Sequence, residues 1–417
     1  MFASSDANSQ DSLDRPPIEY HKTTPDNAIS RLNQKLASGK VKLTFDDQQG
    51  YLKSILAALK IPISSQTLVY SKTSFQPQWI SPRTPRALYF SDDLYVGWVQ
   101  GGSDLEFSVA DAKLGTAYYT LSQDRDNPPR FVRRTHRCLQ CHHSSRTLNI
   151  PGHLVRSVYP TATGLPIYSA GTYLTKDSSP FKERWGGWYV TGQHGAIRHL
   201  GNQIVKTVEH ANQLDLNSGA NVLDLSKRFD TSAYLSGHSD IVALMVLQHQ
   251  TNLHNTLIKA SFETRIALHS QAGLNKFFKR PASYRSDSTK RRIASVAEKV
   301  VRQMLFSEEA PLTSAIRGSS SFSREFPTSG PRDKRGRSLR DFDLKTRLFR
   351  YPCSYLIYSE SFEKLPAECK AVVYRRLWEV LSGADQSKPF AHLTKQDRDN
   401  IREILLATKT TLPGYWK

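Results

Sequence analysis

The chain contains 417 residues, with 57 lysines and arginines against 38 aspartates and glutamates, so its net charge is +19. Two or three packed units are expected at this length, and four cysteines are too few for a disulfide framework. No apolar run approaches the roughly 18 to 20 residues that a membrane-spanning helix needs, so no transmembrane segment is predicted. The charge predicts an acidic partner: nucleic acid, an anionic membrane surface or an acidic redox protein.

The positive charge is concentrated in two segments. Residues 131–210 hold 10 basic and 3 acidic side chains, and residues 281–350 hold 16 basic and 8 acidic ones. The first 130 residues hold 14 of each and are neutral. The position of the charge therefore says more about function than its total.

The first 35 residues are predicted to form a flexible N-terminal arm, because they are polar and lack the apolar h-region of a secretory signal. Residues 36–130 are predicted to form an α+β unit, with a helix after Asp46 and Asp47 and a hairpin turn at residues 111–115. Five runs rich in Val, Tyr, Phe and Leu predict a meander of short strands: Thr67–Tyr70, Ala87–Phe90, Leu94–Gln100, Leu105–Val109 and Ala117–Leu121.

Residues 131–210 are mostly irregular in pattern, and a bound cofactor would explain how so long a segment is organised. Residues 211–417 are predicted to form a helical unit with an exposed basic loop over residues 317–337. Its helices are expected at Asp240–Ala267, Arg291–Phe306, Glu363–Leu381 and Gln396–Thr408. The fold class predicted is α+β, with a strand-rich N-terminal unit, an irregular middle and a predominantly helical C-terminal half.

The middle segment contains the motif Cys138-Leu-Gln-Cys141-His142. C-x-x-C-H is the attachment signature of c-type haem. Two thiols at this spacing can form thioethers to the two vinyl groups of one haem, and the adjacent imidazole then serves as an axial ligand of the iron. Chance placement would give this string in about one such chain in a thousand, so the motif predicts one covalent haem c.

Other uses of the cysteine pair fit less well. A structural zinc site needs two further ligands, and His142 and His143 are too close in sequence to provide a distant second pair. No βαβ pattern surrounds the motif, as a thioredoxin-like thiol pair would need. Cys353 and Cys369 are predicted to be buried and inert.

The sequence does not decide which residue is the sixth iron ligand. His249 lies on an apolar stripe of a predicted helix, where a polar side chain needs a hydrogen bond or a metal. A histidine on such a face is more often a core residue than a ligand. The candidates are His249, His153, His194, His199 and Met245. A histidine or an open position is predicted ahead of methionine.

Aromatic and basic residues of the middle segment are candidates for the haem pocket. Trp185 and Trp188 can cover the porphyrin, although they are as easily explained as ordinary core residues. Arg137 and Arg156 can pair with the haem propionates through the planar guanidinium group. Basic residues at this position would also attract an acidic redox partner.

Four stretches carry a resemblance to known proteins: Cys138–His142, Pro151–Val158, Glu183–Gly195 and Arg340–Ser354. They resemble a family of largely uncharacterised bacterial proteins, common in planctomycetes, described only as cytochrome c domain-containing. The resemblance implies haem c binding and an exported location, and it carries a known role only for Cys138, Cys141 and His142. A periplasmic or otherwise exported protein is expected, with its signal removed or encoded upstream.

The sequence predicts one-electron transfer through an iron held by His142. A first alternative is a peroxidase-like haem c oxidoreductase with an open sixth site, assisted by His153, His194 or Arg156. A second alternative is a zinc-stabilised nucleic-acid-binding protein that would use the basic stretches Lys290–Arg292 and Arg332–Arg340. A nucleic-acid partner is the less favoured one, because a solvated loop explains those stretches equally well.

Overall fold

The computed structural model describes residues 13–416. The α-helices of the first half are α1 (Ala28–Ala37), α2 (Leu52–Ala58), α3 (Leu139–His142) and α4 (Val208–Asn212). Those of the second half are α5 (Ile241–Phe277), α6 (Asp287–Met304), α7 (Phe322–Glu325), α8 (Glu360–Glu363), α9 (Ala367–Leu381) and α10 (Lys395–Thr408). The predicted α+β class, with strands first and helices second, is confirmed.

A seven-stranded antiparallel sheet forms the N-terminal half, in the order β6-β5-β4-β3-β2-β1-β9. Its strands are β1 (Thr67–Val69), β2 (Arg86–Ser91), β3 (Leu94–Trp98), β4 (Asp104–Asp111), β5 (Gly115–Ser122), β6 (Phe131–Arg133) and β9 (Trp188–Tyr189). Two small sheets pair β7 (Arg156–Val158) with β8 (Thr172–Leu174), and β10 (Gly192–Gln193) with β11 (Arg317–Gly318).

The five predicted strands and the predicted hairpin turn are all present. In the turn, Asp111 pairs with Gly115, and its carboxylate accepts the amide hydrogens of Lys113 and Leu114. Gly115 has a φ of +76°, a conformation that glycine adopts without steric cost. Side chains alternate along β4, so that Leu105, Phe107 and Val109 are buried while the residues between them are less so.

The two faces of the sheet pack against different parts of the chain. One face contributes Leu105 and Phe107 to a core that also contains Ile29 of α1 and Ile55 of α2. The other face contributes Phe90 and Tyr95 to the core of the helical half. Helix α5 contributes to both cores, with Ile258 and Phe262 in the first and Leu257 in the second.

The prediction of a flexible arm over residues 1–35 is wrong for residues 13–35, and residues 1–12 lie outside the described part. Leu13, Ile18 and Tyr20 are buried, and the Tyr20 hydroxyl donates to the carbonyl of Thr116 at 2.8 Å. Arg133 donates to the carbonyls of Tyr20 and Thr23. A few apolar side chains within a polar stretch are enough to dock it on a sheet that offers backbone acceptors.

The middle segment is organised by its neighbours. It supplies β9 as the last strand of the large sheet, so the predicted boundary at residue 130 divides that sheet. Strand β10 pairs with β11 of the C-terminal half. Long-range pairing thus orders a segment whose own periodicity predicts little structure.

The predicted exposed loop over residues 317–337 is partly built into the fold. It contains β11 and α7, and its Phe322 and Phe326 side chains are buried in the helical core. The prediction of an exposed loop is therefore wrong for its first half. Within residues 13–416, no helix combines the length and the apolar character needed to cross a membrane.

Candidate functional site

The C-x-x-C-H motif lies on a single helical turn. Cys138 precedes α3 in a helical conformation, and the amide of His142 donates to the Cys138 carbonyl at 2.9 Å. Residues three positions apart lie on one side of such a turn. Both cysteines are free thiols, Cys141 being exposed and Cys138 half-buried. The turn therefore places Cys138, Cys141 and His142 together on one short helical segment.

The imidazole of His142 is held by the carbonyl of Gly152. Nδ1 of His142 lies 2.8 Å from that oxygen, and the amide of Gly152 donates to the His142 carbonyl at 2.9 Å. A carbonyl oxygen only accepts, so Nδ1 carries the proton and the lone pair of Nε2 is left for a ligand. Burial also lowers the pKa of His142, which favours the neutral ring. A metal-binding histidine commonly donates the N–H of its other ring nitrogen to a backbone carbonyl, which fixes the orientation of the ring.

Two further side chains hold the loop that carries the Gly152 carbonyl. The Tyr118 hydroxyl, on β5, donates to it at 2.7 Å, and the Tyr118 ring lies 5.0 Å from the His142 ring. From α5, the side-chain amide of Asn255 accepts the His153 amide hydrogen at 2.8 Å and donates to the His153 carbonyl at 2.9 Å. The strand and the long helix together position the loop that orients His142.

A buried ion pair lies near Cys138. Arg86 of β2 contacts Glu106 of β4 at 2.7 Å, and both side chains are less than one-sixth exposed. Arg86 reaches across β3 because Gly97 has no side chain; a Cβ there would lie 2.2 Å from its Nη2 atom. Burial raises the pKa of Glu106. This pair is a feature that the sequence pattern does not reveal.

Burial, with a smaller contribution from the charge of Glu106, raises the pKa of Cys138 to about 11. A thiol redox centre works through the thiolate and needs a lowered pKa. Cys138 therefore lacks the lowered pKa that a reactive redox thiol needs.

A line of buried titratable side chains runs from the Gly152 loop to the surface. The rings of His153 and Tyr95 are 4.5 Å apart, and the Tyr95 hydroxyl lies 2.9 Å from Nδ1 of His254. Nε2 of His254 lies 3.5 Å from a carboxylate oxygen of Asp93, which is 24% exposed. Tyr95, His254 and Asp93 were not singled out from the sequence, where the one available signal is a second histidine within the apolar helix α5.

His153 is the sixth-ligand candidate nearest to the motif in sequence. Its Nδ1 and Nε2 atoms lie 3.3 Å from the hydroxyls of Ser108 and Thr116, which are long hydrogen bonds. Burial and the neighbouring His254 and His142 lower the pKa of His153 well below its usual value. His153 is therefore a neutral, weakly bonded imidazole behind the loop that holds His142.

His249 is fully engaged elsewhere. Its Nδ1 lies 2.8 Å from a carboxylate oxygen of Asp177, and its Nε2 lies 2.8 Å from the Ser354 hydroxyl. Its ring also stacks on Phe306 with centroids 4.4 Å apart. The connectivity is that of a serine hydrolase triad, but Ser354 and His249 have no exposed surface. Both ring nitrogens are satisfied, so His249 is a core residue and its prediction as an iron ligand does not fit.

His194 and His199 form a pair of their own. Nδ1 of His194 donates to the Ile197 carbonyl, and its Nε2 accepts from the Asn221 amide and lies 3.2 Å from Nε2 of His199. Burial lowers the pKa of His199 to about 3. Both nitrogens of His194 are therefore in use, and His199 is held against Trp185 with ring centroids 5.5 Å apart.

The structure does not bring Trp185, Trp188 and Met245 to the motif. All three belong to the core of the helical half, whereas Leu139 belongs to the core around the N-terminal helices and Cys138 packs against it. The two tryptophans are thus core residues, and their prediction as porphyrin-covering residues is not supported by their contacts.

The two arginines predicted to bind propionates differ in position. Arg137 is exposed beside Cys138, with its guanidinium 5.1 Å from the ring of Phe75. Arg156 lies over the ring of Tyr168 at 5.3 Å and donates to Thr172 at 3.3 Å. Arg137 remains available to an anion at the motif, and Arg156 is held in the β7–β8 sheet.

His143, the second histidine of the motif, was not among the predicted ligands. It is 6% exposed, and within residues 13–416 neither of its ring nitrogens has a hydrogen-bond partner. Burial lowers its pKa, so the ring is neutral. A buried imidazole without a partner is costly unless a ligand or water satisfies it, but His143 directly follows His142 in the chain and cannot reach the opposite face of the same iron.

The zinc and nucleic-acid alternatives concern the metal-binding side chains and the second basic segment. In the described part of the chain, no group of three or more His, Cys, Asp or Glu side chains is arranged to hold a metal ion. The four arginines of residues 332–340 are paired with carboxylates: Arg332 with Asp341, Arg335 and Arg337 with Glu403, and Arg340 with Asp92. Their charge is largely neutralised within the fold.

The chain was compared with protein families, curated proteins and solved structures. No family model, no curated protein and no solved structure matches it.

Proposed function

We propose that this protein is a c-type cytochrome-like electron-transfer protein that carries one haem, bound covalently through Cys138 and Cys141 with His142 as an axial ligand. One observation carries the proposal: on the C-x-x-C-H turn, Nδ1 of His142 is bonded to the Gly152 carbonyl at 2.8 Å. This bond fixes the tautomer in which Nε2 can bind iron. The thiols and the imidazole fit the donor set of haem c.

Each residue of the site has a distinct task in this proposal. Cys138 and Cys141 anchor the group, and Gly152 and Tyr118 hold the axial imidazole in place. When bound, the haem supplies a one-electron iron couple whose potential depends on its ligands and burial. Arg137 is placed to pair with a propionate, and the basic excess of residues 131–210 favours an acidic redox partner. Haem c chemistry places such a protein in an exported compartment.

A second candidate is a haem c oxidoreductase with an open sixth position. The observation that favours it is that His249 and His194 have both ring nitrogens engaged elsewhere. His153 and His143 are the histidines left near the motif. In this version the haem, if bound, would supply an iron centre that reacts with a small ligand such as peroxide, and His153 would be the chain's own nearby imidazole.

The proposal is tested by expressing the chain with an export signal in a host that matures c-type cytochromes, followed by a pyridine haemochrome assay and haem staining of the denatured protein. We expect one covalent haem per chain. Cys138→Ala and Cys141→Ala should each remove one thioether and shift the haemochrome band, and the double variant should carry no covalent haem.

Two cysteines of the same chain provide matched controls. Cys353 and Cys369 are buried thiols in the helical core, so Cys353→Ala and Cys369→Ala should keep the haem stain. A wild-type chain that folds without covalent haem, in a host that loads another c-type cytochrome, would overturn the proposal.

Carbon monoxide separates the two candidates. Reduced protein with two strong axial ligands keeps its spectrum when carbon monoxide is added, whereas an open sixth position gives a shifted Soret band. His153→Gln then tests the nearest candidate for the closing ligand, because only loss of the true ligand makes the reduced protein sensitive to carbon monoxide.

A further inference from the structure

The helical hairpin of α5 and α6 ends in a short connection at the surface, which we call the hairpin tip (residues 274–284). Helix α5 stops at Phe277, and Lys279 takes a left-handed conformation with a φ of +53°. The amide of Arg280 then donates to the Asn275 carbonyl at 2.8 Å, which closes the end of the helix. This ending turns the last side chains of the helix outward.

The hairpin tip exposes large apolar side chains. Phe277 is 79% exposed and Phe278 is 54% exposed, and their rings meet edge to face with centroids 5.0 Å apart. Leu274 and Tyr284 are 49% and 40% exposed. Adjacent exposed phenylalanines are unfavourable in water, and contiguous apolar patches on a protein surface usually mark an interaction site.

The tip is braced from beneath by buried amides. Asn275 donates to the carbonyls of Pro281 and Tyr284, both at 3.1 Å, and accepts from Gln271 at 2.7 Å. Gln271 in turn accepts from Ser286 and Thr289 at the start of α6. These hydrogen bonds fix the backbone that carries the aromatic side chains, which lowers the conformational entropy lost when they bind.

Positive charge surrounds the exposed rings. Lys276, Lys279 and Arg280 are exposed, and residues 264–286 contain no Asp or Glu. The Arg280 guanidinium lies 4.9 Å from the ring of Phe278 and 4.8 Å from that of Tyr284. The acidic groups around the tip are already paired: Glu263 with Lys259 and Arg292, Asp287 with Lys290, and Glu368 with Arg285.

We propose that the hairpin tip docks this protein on the surface of an anionic lipid bilayer, with Phe277 and Phe278 inserted among the acyl chains and the three cations at the headgroups. Aromatic rings beside lysine and arginine match the layered chemistry of a membrane interface. The four apolar side chains expose on the order of 400 Å², below the roughly 800 Å² per partner of a stable protein interface. This inference does not depend on haem binding.

Co-sedimentation of the purified full chain with lipid vesicles tests the proposal. We expect binding to vesicles of phosphatidylcholine mixed with phosphatidylglycerol, weaker binding to phosphatidylcholine alone, and loss of the difference in high salt. The double variant F277S/F278S should lower the partition coefficient at least about tenfold, since two inserted rings are lost. The triple variant K276Q/K279Q/R280Q should abolish the preference for anionic vesicles.

Matched controls come from exposed residues elsewhere. Leu165 and Leu223 are 55% and 50% exposed, and Lys35, Lys40 and Lys42 are exposed as well. L165S/L223S and K35Q/K40Q/K42Q should bind vesicles as wild type does. Equal binding by the tip variants and these controls would overturn the proposal. The proposal would also be overturned if light scattering showed a wild-type dimer that F277S/F278S converts to a monomer, while neither protein binds vesicles. The tip would then be an interface between two copies of the chain.

Discussion

Gly152 is the position at which the smallest substitution should disturb the candidate haem site most. Its carbonyl accepts from both His142 and Tyr118. An added Cβ would lie 2.5 Å from Oδ1 of Asn255 and 2.9 Å from Cδ1 of Ile150, both closer than a van der Waals contact. Because the amide of Asn255 is bonded to His153, we expect Gly152→Ala to displace Asn255 and the Gly152 carbonyl together.

The expected cost follows from the bonds that must break. Asn255 makes two buried hydrogen bonds to the backbone of His153, at 2.8 and 2.9 Å. Each contributes about 1 kcal/mol net, and a backbone group left buried without a partner costs about 1 to 3 kcal/mol more. If both bonds break and one backbone group is left buried without a partner, Gly152→Ala should lower the free energy of unfolding by about 3 to 5 kcal/mol. It should also loosen the bond that orients His142.

Urea unfolding followed by circular dichroism measures this cost, and the midpoint potential of the haem-loaded protein reports on His142. Gly273 supplies the matched control, because it lies in α5 and a Cβ there would have no atom within 4 Å. Gly273→Ala should stabilise the protein by about 0.5 to 1 kcal/mol, through helix propensity. If Gly152→Ala left both the free energy of unfolding and the midpoint potential at the wild-type values, the hydrogen bonds of Asn255 to His153 would not position His142.

Three other predictions concern charges and histidines. Burial raises the pKa of Glu309 to about 7, so between pH 4.5 and 7 the folded state holds a proton that the unfolded state releases. The free energy of unfolding should therefore fall as pH rises through this window, by up to about 1.4 kcal/mol per pH unit. Urea titrations at several pH values should show this slope for the wild type and not for Glu309→Gln. Arg86→Met leaves Glu106 buried without its partner and should lower the free energy of unfolding by about 3 to 5 kcal/mol, with a smaller loss in the double variant R86M/E106Q. The control Lys395→Met, at an exposed pair, should lower it by less than about 1 kcal/mol. Equal losses would refute the role of the buried pair. His249→Gln breaks the bonds to Asp177 and Ser354 and should lower the free energy of unfolding by about 2 to 4 kcal/mol without changing the haem spectrum. A changed spectrum, with the exposed-site variant His269→Gln unaltered, would instead make His249 an iron ligand.

The strand-rich half was predictable because its signals are local. Alternation in β4 and the glycine after Asp111 specify strands and a turn within a few residues. The long helix α5 was predicted at its start, where Asp240 caps it by accepting the amide hydrogen of Val242 at 2.7 Å. Its end was placed ten residues too early, at Ala267 instead of Phe277, since the polar residues that follow carry no apolar periodicity and are ordered by packing against α6.

The site was predictable only in part. The attachment motif is a contiguous string whose chemistry depends on spacing, so the sequence is enough to propose it. The supports of His142 come from Gly152, Tyr118 and Asn255, which lie on a loop, a strand and a distant helix. His249 and Met245 are candidates from a helical face, and His153, His194 and His199 are candidates from nearness to the motif or from flanking glycines. None of these signals reveals whether a histidine already has hydrogen-bond partners.

By itself, the sequence determined the α+β class, the order of strands and helices, and the Cys138-Cys141-His142 group. Tertiary structure alone decided that residues 13–35 are docked, that Trp185 and Trp188 lie in the helical core, and that His249 is satisfied by Asp177 and Ser354. The physical reason is the range of the interactions. Backbone periodicity and covalent spacing act over a few residues, whereas burial and hydrogen-bond partners are set by residues tens or hundreds of positions apart.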